Sequence, residues 1–237
     1  MRLGFSFYGI IYGPGGRTGS DRDIRHCWPG LLTDLIDPFY KQGHECYVYF
    51  SGYPIRNPVI EEQFYTVVQP DRVTYSHFES SNPFTAKYAS FNNFMDEELD
   101  AVIFTRSDIH FSKIIANETI DWNKVNFLFP EGNGWWESYK FTCDNFYIIP
   151  RKYFRAVRDA MELTYGWPRP GFVDTHGLWG TLASIIGEEN MRLISETPEI
   201  SDVNSFYTCC RSGLPVGEDR MKHIHPKVKE RFNDEYR

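Results

Sequence analysis

The sequence predicts an α/β fold, a single domain with a mostly parallel central sheet flanked by helices. Three observations carry that expectation. Short apolar runs rich in β-branched and aromatic residues recur along the chain, the composition of strands buried on both faces. Between them lie stretches with apolar residues at helical spacing. The two kinds alternate as strand, helix, strand, and that order implies parallel pairing.

The first strand covers residues 2–11 and runs into Tyr12-Gly13-Pro14-Gly15-Gly16-Arg17-Thr18-Gly19-Ser20-Asp21. A strand, a glycine-rich loop and then a helix is the plan of a phosphate cradle, because glycine lets backbone N–H groups approach oxygens closely. The spacing matches neither G-x-G-x-x-G nor G-x-x-x-x-G-K. The interest lies in the cations that follow. Arg17, Arg22 and Arg25 can meet a diphosphate, or lie solvated on a surface loop. Next, Leu31, Leu32, Leu35, Ile36 and Phe39 form a helical stripe. Pro29 suits its first turn, Gly43 its stop, and Pro38 predicts a kink or an early end. Glu45 to Tyr53 reads as the second strand. The signal then weakens, with a helix over 61–68 and a strand over 72–76. Thr85 to Leu99 reads as a helix with Tyr88, Phe91, Phe94 and Met95 on one face.

That helix delivers the chain to its most informative stretch, Asp100 to Phe111. Ala101 to Phe104 is a core strand that stops at Thr105-Arg106-Ser107-Asp108. Residues two apart in an extended chain project to the same side. Arg106 and Asp108 therefore point together from the carboxyl end of a strand, the edge where ligands collect in open α/β sheets. A carboxylate there can hold a hard divalent cation, and an arginine can grip phosphate oxygens. A structural Arg–Asp pair closing the strand fits the spacing equally well. Further on, Asn126 to Pro130 reads as a strand ending at Glu131-Gly132-Asn133-Gly134-Trp135-Trp136. Phe146 to Pro150 is another, with Asp144-Asn145 immediately before it. Helices cover 151–165 and 178–186, the second closed by Gly187, and Asp174 and His176 lie between them. Residues 1–215 form the domain and 216–237 a charged tail.

Composition bounds the function. At 237 residues the chain can bury a full core. Aromatic content of 17% is high. Most of it fills the core, yet Trp, Tyr and Phe also line clefts that stack sugars or bases. A formal charge of −7 and a pI near 5.5 argue against a nucleic-acid backbone as the main partner. A nucleotide ligand needs only a local cluster of cations. Cys27, Cys46, Cys143, Cys209 and Cys210 are odd in number and form no C-x-x-C pair, which favours a reducing compartment over a disulfide framework. No apolar stretch approaches the roughly 18 residues that span a bilayer. The first residues are too few and too mixed for a signal peptide, so a cytoplasmic location is expected.

Taken together, the strand leading into Thr105-Arg106-Ser107-Asp108-Ile109-His110-Phe111, the run Ile120 to Phe129 and the stretch Asp144 to Tyr153 resemble small nucleotide-sugar glycosyltransferases of the GT-A type. The resemblance is to those of large algal viruses of the chlorovirus kind, which build capsid glycans in the host cytoplasm, and it extends from the first strand to about residue 190. The family's Asp-x-Asp metal signature is absent. Arg106-Ser107-Asp108 stands in its place, so one carboxylate is carried over.

The resemblance implies a GT-A-like, Rossmann-related domain, a UDP-sugar donor (UDP-xylose, on the viral likeness), an oligosaccharide or glycoprotein acceptor, and Mn2+ or Mg2+ as a cofactor. The leaving diphosphate must be neutralised, by a metal or by arginines. Asp108 is the candidate metal ligand and His176 a second; the arginines can do the same work alone. An inverting transfer also needs a base for the acceptor hydroxyl. Asp144, Glu131 and Asp174 are the candidates, with Asp144 favoured by its place in the resemblance. Gly9, Arg17, Asp21, Arg25, Arg106 and Asp108 are expected around the nucleotide sugar, with Trp135 and Trp136 as a platform for a pyranose face. Each has a plainer reading: Asp144 as a turn anchor, Glu131 as an exposed turn residue, His176 as a structural histidine, the tryptophans as core. Two other functions compete, a non-catalytic glycan- or nucleotide-binding module and a sugar-phosphate nucleotidyltransferase. The missing second metal carboxylate counts against the latter.

Overall fold

The computed structural model describes residues 1–14, 21–75, 83–166, 175–201 and 204–209. Its elements begin with β1 (Arg2–Gly9) and a small antiparallel ribbon of β2 (Tyr12–Pro14) and β3 (Asp21–Asp23). A helical stretch follows, with α1 (Trp28–Gly30), a wider π turn over Leu31–Ile36 and α2 (Asp37–Lys41). Then come β4 (Glu45–Gly52), α3 (Pro58–Val68), β5 (Arg72–Tyr75), α4 (Pro83–Ala89), α5 (Phe91–Phe94) and β6 (Ala101–Arg106). The second half holds β7 (Ile109–Phe111), β8 (Val125–Phe127), α6 (Trp135–Tyr139), β9 (Phe146–Pro150) and α7 (Phe154–Gly166). It closes with α8 (Leu178–Ile186), β10 (Met191–Leu193) and β11 (Tyr207–Cys209).

The fold is α/β, as expected. A seven-stranded sheet runs in the order β10-β8-β9-β6-β1-β4-β5. Every strand but β9 runs in one direction; β9 is antiparallel to both of its neighbours. Side chains alternate across the sheet. Along β6, Ala101 and Ile103 pack with Leu31, Leu35, Phe39, Ile60 and Phe64. Val102 and Phe104 face the other side, with Phe91, Phe94, Val157, Met161 and Leu182. Burial on both faces is why these strands read as continuous apolar runs rather than alternating ones.

Local departures have local causes. The first strand ends at Gly9, short of Ile11. Gly9 has φ of +134°, and a Cβ there would lie 2.9 Å from Ser107 Oγ, so only glycine suits the position. At the expected kink, the Asp37 N–H reaches back to the Leu32 carbonyl and Pro38, which lacks an N–H, opens α2. The helix expected over 85–99 is two pieces. Ser90 bonds its hydroxyl to the Ala86 carbonyl at 2.9 Å, a back-bond that competes with continuation. β6 runs on to Arg106 because the Arg106 N–H finds the Asn145 carbonyl at 3.3 Å. β8 stops at Phe127, since Leu128 and Phe129 turn their carbonyls to the N–H groups of Ser195 and Cys143. The expected tail, the loop residues 15–20 and Asp174 lie outside the described residues.

Candidate functional site

Parallel pairing brings the carboxyl ends of β1, β6 and β8 to one edge, and antiparallel β9 begins there. At the centre of this edge, Arg106 and Asp108 meet each other. Nε donates to Oδ1 at 2.7 Å and Nη2 to Oδ2 at 2.5 Å. Both side chains are largely enclosed, Asp108 at 6% exposure. Burial alone would lower the Arg106 pKa, but the Asp108 charge and its two hydrogen bonds hold it well above the ordinary value. The two form a bidentate pair at the strand end. Gly9 lies against Ser107 beside them.

A second group forms where the chain leaves β8. Glu131 accepts from the Ser201 N–H at 3.1 Å and the Ser201 hydroxyl at 2.6 Å, and its Oε2 lies 3.4 Å from His176 Nδ1. The same nitrogen is 3.1 Å from the Thr142 carbonyl. Burial opposes the imidazolium, yet the Glu131 hydrogen bond and the charges of Asp144 and Glu131 outweigh it and raise His176 to about 9. Glu131 and His176 are therefore paired, and they are neither an exposed turn residue nor a lone core histidine. Asp144 is buried, and its main-chain carbonyl accepts from Tyr8 Oη at 3.1 Å and Lys87 Nζ at 2.6 Å. Asp108 and His176, the expected metal ligands, belong to different hydrogen-bonded groups. Among the described residues no group of three or more His, Cys, Asp or Glu side chains is placed to hold a metal ion.

The two tryptophans part company on α6. Trp136 packs edge-on against Trp179 at 5.3 Å, with Lys140 Nζ over its face. Trp135 is 39% exposed and stacks with Phe141 at 5.5 Å and 23°. Tyr139, 63% exposed, stacks on the same Phe141 at 5.2 Å. Phe141 in turn lies 6.3 Å from the His176 ring. An open aromatic ledge therefore leads into the Glu131–His176 group.

Other expected contacts lie elsewhere. Arg25 clasps Asp23 through Nε at 3.0 Å and Nη2 at 2.7 Å, and donates to Gln63 at 3.1 Å. Asp21 sits on β3, while Arg17 is outside the described residues. The sequence reading missed Lys87, Tyr8 and Ser201. Lys87 had a signal: it lies four residues before Phe91 and seven before Phe94, on the apolar face of the helix expected over 85–99. Ser201 had none, because its role depends on contacts seventy residues away.

No protein-family model matches the chain, and no curated protein matches it. Among solved structures it is similar to the glycosyltransferase GlyE of Streptococcus pneumoniae, with 12% identity over 81% of this chain and a TM-score of 0.46. The chain spans 44% of that protein. It is also similar to a glycosyltransferase involved in glycosylating the major capsid of PBCV-1, with 8% identity over 98% of this chain and all of that one, TM-score 0.44. A third is Drosophila β1,4-galactosyltransferase 7, solved with manganese, UDP-Gal and xylobiose. It shows 9% identity over 97% of this chain and 74% of its own, TM-score 0.44.

Proposed function

We propose that the protein is a glycosyltransferase that moves a monosaccharide from a UDP-sugar, UDP-xylose in the first instance, to a glycan acceptor with inversion. The observation that carries this reading is the convergence at one sheet edge of a guanidinium, a paired carboxylate–imidazole and a further buried carboxylate, with an open aromatic ledge beside them. Each part has a task in such a transfer. The acceptor sugar lays its apolar face on Trp135, Tyr139 and Phe141. Asp144 takes the proton of the attacking hydroxyl, the hydroxyl oxygen bonds to the anomeric carbon from the face opposite the leaving group, and the bond to the diphosphate breaks. Arg106, which gives two of its N–H groups to Asp108, balances the charge that develops on the diphosphate. Glu131 is the weaker candidate for the base, because its oxygens are engaged by Ser201 and His176. With Asp108 paired to Arg106 and His176 to Glu131, the two expected ligands do not make up a metal site in this arrangement, and no step is assigned to a divalent cation.

The test is donor hydrolysis and transfer with UDP-xylose and other UDP-sugars, with EDTA or Mn2+, for wild type, Asp108→Ala and Asp144→Asn. Asp144→Asn should lose about 10²–10⁴-fold in kcat while still binding UDP. Full activity in that variant removes Asp144 from the mechanism. Saturable donor binding with no nucleotide released under any metal condition would make the protein a binding module instead.

A further inference from the structure

An ammonium taken out of water costs several kcal/mol, yet Lys87 on α4 is only 2% exposed. Its Nζ donates to the Asp144 carbonyl at 2.6 Å and to Tyr147 Oη at 3.0 Å. It also lies over the rings of Tyr147 at 4.8 Å and Tyr8 at 5.4 Å, where the π faces favour a cation. Tyr8 donates its hydroxyl to the same Asp144 carbonyl at 3.1 Å, from a ring stacked on Phe104 at 4.9 Å. The next carbonyl, that of Asn145, is held from other elements, by Thr105 Oγ1 at 2.9 Å and the Arg106 N–H at 3.3 Å. Asn145 Nδ2 then donates to the Ser201 carbonyl at 3.1 Å and Tyr207 Oη at 3.2 Å. The 144–145 segment is thus pinned by β1, α4, β6 and β11, although it lies just outside the ladder of β9.

We propose that Lys87, together with Tyr8, is a positioning residue: the two donors clamp the Asp144 carbonyl and so fix the direction in which the Asp144 carboxylate leaves the backbone. At 2% exposure Lys87 reaches the site through that peptide. The contribution to catalysis rests on the transferase reading; the clamp itself does not.

The experiment uses the full chain with Tyr8→Phe, which keeps the stack on Phe104, and Lys87→Met. The first readout is amide hydrogen exchange across residues 144–146, the segment the two donors hold. Releasing the Asp144 carbonyl should speed exchange there about tenfold in both variants, with Tyr8→Phe as folded as wild type by circular dichroism. Unchanged exchange in both variants overturns the clamp, whether or not the protein transfers sugar. The second readout is kinetic. Where wild type turns over, kcat should fall about tenfold with KM for the donor unchanged. An unaltered kcat in both also overturns the positioning role. A wild type that never turns over strikes the transferase reading alone and leaves the clamp to be decided by the exchange measurement.

Discussion

Two ion pairs stand at the same edge of the sheet, and they are built differently. Arg106 and Asp108 come from one strand end, two residues apart, and join through a bidentate contact between enclosed groups. Arginine stays charged at any pH the protein meets. His176 and Glu131 come from segments 45 residues apart in sequence, and they form an ion pair only while the imidazole is protonated. The first pair is fixed by local geometry. The second is set by tertiary contacts and responds to pH. A permanent charge suits the proposed task of balancing a diphosphate, whereas a titrating pair changes its charge with pH.

The largest effect should come from opening the permanent pair. Asp108→Ala leaves the Arg106 guanidinium enclosed without its carboxylate, which costs about 3–5 kcal/mol, read as a lowered urea midpoint. Replacing both partners by apolar residues of similar volume, Arg106→Met with Asp108→Leu, should recover most of that loss because no charge is then stranded. A single mutant as stable as wild type would show that water reaches the pair.

The titrating pair should give a smaller, pH-dependent effect. His176 is raised from 6.5 to about 9 in the folded protein. Its contribution is therefore fully present below about pH 6.5 and is lost as pH rises through about 9. Because part of the ring is open to water, the contribution is on the order of 1–3 kcal/mol. Glu131→Gln should remove much of it, so that the stability difference between wild type and variant narrows from pH 6 to pH 10. A difference that stays constant across that range would mean His176 is not the group being held.

What could be read from the sequence follows the same division. β6, the helix ending at Gly187 and the kink at Pro38 are governed by neighbours along the chain, and all were legible. The Arg106–Asp108 pair was legible too, as one of two readings, because a spacing of two fixes a common side. Trp135 and Trp136 could not be told apart, since which ring faces Trp179 depends on how α6 docks. β10 and β11 were missed because three-residue strands are too short to display a period. Glu131–His176–Ser201 was invisible as a group for a related reason: its members meet only once residues 131, 176 and 201 are brought together by the fold.

The tryptophans offer a test of intermediate size. Trp136→Ala should lower stability by about 1–3 kcal/mol through lost packing on Trp179, with the acceptor KM little changed. Trp135→Ala should do the reverse, raising the acceptor KM about tenfold at near-wild-type Tm. If both variants lose only stability, the ledge is not where the acceptor rests.

The smallest effect is expected at Asp23–Arg25, an arginine–aspartate pair with the same spacing as Arg106–Asp108 in the opposite order. The Asp23 carboxylate is well covered, but the Arg25 side chain is 37% exposed, so water screens the charge. Arg25→Met should therefore cost less than opening Arg106–Asp108, and 0.5 M NaCl should shrink that cost. The same salt should change the cost of opening Arg106–Asp108 less, since that pair is the more enclosed of the two. Equal salt sensitivity at the two sites would erase the distinction between them.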